Sequence, residues 1–178
     1  MQQEPNPFFY SVLSIIVTVS VCFLENDFGE HAYGIDTICI STDFSPSEAA
    51  IIKKNIGLWN FDQTHFVFDC TFNSVPIKKD KQPHLQKLTG LPANEGSSIG
   101  LTQYEPHKRI LISDTLEPTW LPIIAAHEAG HLIYVDHVPS EKAPAIMNDF
   151  IRPDMVNKVK LTNIDLVEYC KVWKCECY

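Results

Sequence analysis

The string His127-Glu128-Ala129-Gly130-His131 constrains this chain more than any other stretch. Residues i and i+4 stack one turn apart on a helix, whereas on a strand the same spacing would hold them about 13 Å apart. The two histidines can share one ion only if this stretch is helical. His137 follows six residues later, so HEAGHLIYVDH requires a helix that stops soon after His131 and a chain that folds back. Demanding the third histidine lowers the chance expectation for the pattern to below roughly one in a thousand. Three neutral imidazoles suit zinc and leave a fourth position for water, which is the arrangement of a catalytic site and not of a closed structural one. Glu128 stands beside the first candidate ligand, where its carboxylate can take a proton from water without binding the ion.

The 178 residues, 45% hydrophobic and 20% charged, suffice for one well-buried domain and are short for two. With 22 acidic against 14 basic residues the formal charge is −8, which disfavours a phosphate-tracking surface, so no nucleic-acid partner is expected. Phe8 to Leu24 carries no charge, and Glu4, Glu25, Asp27 and Glu30 flank it. Its length lies between a secretory h-region and a spanning helix, so residues 1–34 are expected to be a signal or membrane-anchor segment with a short connector. Residues 35–178 then form a single catalytic domain, secreted or anchored outside the cytosol. The six cysteines fit an oxidising compartment: Cys39 is expected to pair with Cys70, and Cys170 with Cys175 or Cys177. Cys22 lies inside the apolar segment.

Alternation of apolar and polar residues predicts strands over Ile35–Ser41, His65–Phe72, Ile99–Tyr104 and Lys108–Asp114. Ser45, Pro46 and Glu48 open a helix over 46–60, with Ala49, Ile52, Ile56 and Trp59 at helical spacing. Trp120–Tyr134 reads as the second helix and Leu161–Trp173, capped by Thr162, as the third. Residues 74–98 have loop character, rich in Pro, Lys and Gly. His31, His65, His84 and His107 lack ligand spacing.

At the histidine string the chain resembles a known family. HEAGHLIYVDH resembles the extended HExxHxxGxxH motif of the metzincin metallopeptidases, and PAIMNDF, with Met147 ten residues beyond His137, resembles their Met-turn. The order of elements over about Ile35 to Trp173 is similar to that of matrixin-like members. The resemblance implies an α+β, zincin-like fold: a mixed, mostly parallel twisted sheet with an antiparallel edge strand, an active-site helix and a C-terminal helix. It also implies a monomeric zinc metalloendopeptidase. His127, His131 and His137 would bind Zn2+, Glu128 would be the general base, and Met147 would underlie the metal. A peptide or protein substrate would lie extended along Ile99–Tyr104, pairing through its backbone.

The sequence departs from the family pattern in three places. Tyr134 stands where the family has glycine, and a turn with positive φ there costs a bulky residue about 1 kcal/mol. Asp149 stands where some metzincins place an additional tyrosine ligand, and the few residues between Leu24 and Ile35 are too short for a blocking propeptide. Two rival readings stay open. Glu168 could replace His137 as third ligand, or the chain could be an exported zinc- or peptide-binding module without turnover, its cleft closed by Tyr134.

Overall fold

In this computed structural model the described residues are 34–90, 99–104, 106–139, 144–151 and 153–175. The apolar segment 8–24, Cys22 and Cys177 lie outside them. The first strand, β1 (Gly34–Ile40), buries Ile38, and the chain then turns into helix α1 (Pro46–Ile56). Ser45 caps that helix reciprocally: Glu48 N–H donates to Ser45 Oγ, and Ser45 N–H donates to the Glu48 carboxylate at 2.7 Å. A 3-10 turn, Gly57–Trp59, prolongs α1 and sets Trp59 fully inside the core.

Strand β2 (Thr64–Phe68) ends four residues before the expected limit at Phe72. The cause is a local turn, in which Asp69 Oδ1 accepts from Cys70 N–H and Ser74 Oγ accepts from Thr71 N–H. Within it Cys70 is disulfide-bonded to Cys39 of β1. The region expected to be loop, 74–98, instead holds strand β3 (Val75–Asp80) and helix α2 (Gln82–Thr89). Val75 and Ile77 are buried, and Pro76 is tolerated because pairing with the next strand begins only at Ile77. Helix α2 has Pro83 in its first turn, buries Leu85 and ends at Gly90 with φ +69°, a left-handed cap that favours glycine.

Strands β4 (Gly100–Gln103) and β5 (Arg109–Ser113), and helices α3 (Leu121–Leu132) and α4 (Asn163–Trp173), fall where the sequence places them. The five strands form one sheet in the order β2-β1-β3-β5-β4. All neighbours are parallel except β4, which runs antiparallel to β5 along one edge. This is the α+β class expected: a mostly parallel sheet with an antiparallel edge strand. Helix α3 packs against α1, β4 and β5. It is apolar on almost every side, as a helix sunk in a core must be, and only Pro122 and His131 among its residues are partly exposed. Ile38, Ile77, Ile110 and Ile112 from the sheet meet Ile52, Ile56, Ile123 and Ile124 from the helices. Cys170 of α4 is bonded to Cys175, one of its two expected partners. Among the described residues no helix is long and apolar enough to cross a membrane.

Candidate metal centre

Helix α3 presents His127 and His131 one turn apart, and the way the helix ends brings His137 to them. The chain leaves α3 through a six-residue turn in which Tyr134 N–H donates to His131 O at 2.8 Å and Val135 N–H to Gly130 O at 3.0 Å. This is the Schellman pattern, and its left-handed position is Tyr134, with φ +65°. A tyrosine thus occupies a backbone conformation that favours glycine. Two side chains satisfy further carbonyls at this helix end: Trp173 Nε1 donates to Ile133 O at 3.0 Å, and the Tyr104 hydroxyl donates to His131 O. The Tyr134 ring stacks on Tyr104, with centroids 5.5 Å apart and planes 7° from parallel. Lys108 Nζ lies 5.5 Å from the Tyr134 ring centre and is ion-paired with Asp36 at 2.8 Å. These contacts offset the backbone cost of a non-glycine residue at the turn.

The three Nε2 atoms converge: His127 to His131 is 3.2 Å, His131 to His137 is 3.0 Å, and His137 to His127 is 3.2 Å. The opposite nitrogens decide what those atoms are. His127 Nδ1 is 2.8 Å from Ile146 O and His131 Nδ1 is 3.0 Å from Val135 O, and a carbonyl can only accept, so both Nδ1 atoms carry the hydrogen. In the neutral rings both Nε2 atoms are then bare acceptors pointed at each other. His137 Nε2, within 3.2 Å of both, has at most one hydrogen to donate, so at least one lone pair stays orphaned unless a cation sits among them. Ligand nitrogens around a tetrahedral zinc, each about 2.0–2.1 Å from it, are about 3.3 Å apart, close to the separations found. The donor set fits zinc. Protonation is opposed as well: burial, followed by the neighbouring His131, lowers His127 from 6.5 to about 3, and burial, followed by His137, lowers His131 to about 4.

Beneath the rings lies the turn carrying Met147, which is fully buried. A Cβ at Gly130 would collide with Met147 Sδ and come within 2.9 Å of Trp59 Cζ2, so glycine at 130 lets α3 settle on both. Trp59 Nε1 in turn donates to Ala126 O at 2.7 Å. The turn itself is held by Asp165 of α4, which has no solvent exposure. Its carboxylate accepts from Ile146 N–H at 3.1 Å, Met147 N–H at 2.9 Å and Thr162 N–H at 2.8 Å. Asp165 thus fixes the backbone whose carbonyl, Ile146 O, fixes the His127 ring.

Glu128 is buried at 5% exposure, and Thr102 Oγ1 of β4 lies 2.8 Å from both its main-chain O and its Oε2. Burial pushes its carboxyl from 4.5 up to about 7, against the lowering effect of Thr102. A carboxyl near neutrality is suited to taking up and releasing a proton.

Of the sequence-predicted residues, His127, His131 and His137 form the one group of three metal-capable side chains among the described residues, with Glu128 next to the first on α3. Glu168 stands outside that group and is ion-paired with Lys171 at 2.7 Å. His84 pairs with Asp80 instead. Sequence reasoning missed Asp165, Thr102 and Gly100. For Asp165 a signal was present, since Thr162 and Asp165 form a capping box.

No protein-family model and no curated protein matches the chain by sequence. Among solved structures it is similar to myroilysin, with a TM-score of 0.48 and 11% identity over 82% of this chain and 95% of that one. It is similar also to archaemetzincin from Methanopyrus kandleri, with a TM-score of 0.48 and 10% identity over 83% of this chain and all of that one.

Proposed function

We propose that this chain is a zinc-dependent endopeptidase that works outside the cytosol. The observation that carries the reading is the meeting of three histidine Nε2 atoms within 3.2 Å of one another, two of them stripped of hydrogen by their Nδ1 partners. The disulfides Cys39–Cys70 and Cys170–Cys175 support an oxidising compartment. His127, His131 and His137 would hold the metal. Zinc bound there supplies Lewis acidity, polarising the scissile carbonyl and acidifying water. Glu128 takes a proton from the attacking water and returns it to the leaving amine. One edge of β4 has no strand partner among the described residues, so an extended peptide can pair with it irrespective of side chains. Thr102 of the same strand touches Glu128, which supports a base acting beside that edge.

Zinc content and cleavage of a quenched peptide library, with and without chelator, test the reading on the wild type and on Glu128→Gln. The wild type should cleave only with zinc, and Glu128→Gln should retain the metal while losing about 10²–10⁴-fold in kcat. Full activity in Glu128→Gln removes the base assignment. Zinc held by the wild type without cleavage of any peptide favours the binding module.

A further inference from the structure

Glutamate in a helix has three side-chain torsions, and burial alone does not choose among their rotamers. At Glu128 the choice is made from β4. Gly100 and Thr102 are two residues apart on this strand and share one of its faces. A Cβ at Gly100 would come within 2.5 Å of Glu128 Oε1 and 2.8 Å of Ile124 Cγ2, so the missing side chain is the space that Oε1 uses. Thr102 Oγ1 is 2.8 Å from Oε2, and it is the one side chain among the described residues that hydrogen-bonds this carboxylate. One position thus offers room and the other a hydroxyl.

Resting on the peptidase reading, we propose that Thr102 is a positioning residue for the general base. Its hydroxyl holds the Glu128 carboxylate against the strand whose free edge receives the peptide, so base and substrate take their register from one element. The hydroxyl has a single hydrogen and two acceptors in reach, Glu128 Oε2 and Glu128 O. With Glu128 ionised it donates to Oε2.

Thr102→Val keeps the shape and removes the hydroxyl, and Thr102→Ser restores it. In zinc-loaded protein assayed on a quenched peptide, Thr102→Val should retain full metal content and KM while kcat falls on the order of 10–100-fold, as for a displaced catalytic group. Thr102→Ser should recover to within about threefold. A second readout needs neither metal nor substrate: in zinc-free protein, urea unfolding of Thr102→Val, Glu128→Ala and the double variant should be non-additive, the double variant being no weaker than the worse single one. Thr102→Ala replaces the valine variant in both measurements if the latter fails to accumulate. Unchanged kcat in Thr102→Val, a rise in KM alone, or additive unfolding costs would overturn the proposal and leave the peptidase reading standing. A zinc-loaded wild type that cleaves no peptide overturns both.

Discussion

His127 and His131 ride on α3, a helix buried along nearly its whole length, and each has its far ring nitrogen held by a carbonyl. His137 stands on exposed chain beyond the turn, and among the described residues its Nδ1 has no such partner. The helix pair is aimed by the core, the third ring by a turn whose left-handed residue is a tyrosine braced from outside the helix. Preorganisation is therefore unequal across the three proposed ligands, and the inequality can be measured.

Removing a helix ligand should have the largest effect. Zinc affinity in His131→Ala, read by competition with a chromophoric chelator, should fall by well over the roughly 10–100-fold that an outer hydrogen-bond partner contributes. His137→Ala should lose less, and equal losses in the two variants would erase the contrast.

Acid probes the buried pair next. His127 and His131 have folded-state values below their ordinary 6.5, so their contribution to stability is present above pH 6.5 and is lost as pH falls towards about 3 and about 4. Glu128 is raised to about 7, and its contribution is full below pH 4.5 and is lost as pH rises through 7. From pH 6.5 to 4.5 the folded chain thus binds two protons fewer on the histidines and one more on Glu128 than the unfolded chain. Zinc-free protein should lose stability with acid at a net slope of about one proton there and more steeply just below pH 4.5, a few kcal/mol in all. In Glu128→Gln the upper slope should double. Urea midpoints across this range give the answer, and a flat profile would mean the rings are not sealed from water.

Asp165→Asn acts at the far end of the His127 support. One amide hydrogen-bond donor would then face the N–H groups that Asp165 now accepts, at a cost of about 2–3 kcal/mol in unfolding free energy. Zinc affinity, read by chelator competition, should fall by about 10–100-fold. Tyr134→Gly should give the smallest change. Relief of the left-handed backbone gains about 1 kcal/mol, and loss of the stack on Tyr104 and of the Lys108 contact removes about the same, so stability should move by less than about 1 kcal/mol. A larger loss would make the aromatic brace, and not the backbone, what sets the third ligand.

What the sequence made legible follows the same division. A helix with ligands at i and i+4, and strands with plain alternation such as Arg109–Ser113, carry their geometry in their period. Strand β3 does not: Val75 and Ile77 are its only buried apolar residues, with Pro76 between them and Lys78 and Lys79 after them. Helix α2 is also faint, with Leu85 alone buried in eight residues. Both are formed by tertiary contact rather than by local pattern. At the site, His127, His131, His137 and Glu128 were recognisable because a motif spells them in order. Thr102 was not, and Asp165 was legible only as the partner in a capping box, because their contacts to residues 26 and about 18 positions away are displayed only by the folded chain.

The carboxylate of Asp165 lends the site a sense of time. A growing chain can wind the helix of His127 and His131 long before residue 165 exists, but the turn under the rings has nothing to lean on until then. If the three rings hold a cation, shaping of their pocket and docking of the final helix would be coupled, and a chain interrupted before Thr162 would own all three rings and lack the carboxylate that props the turn beneath them.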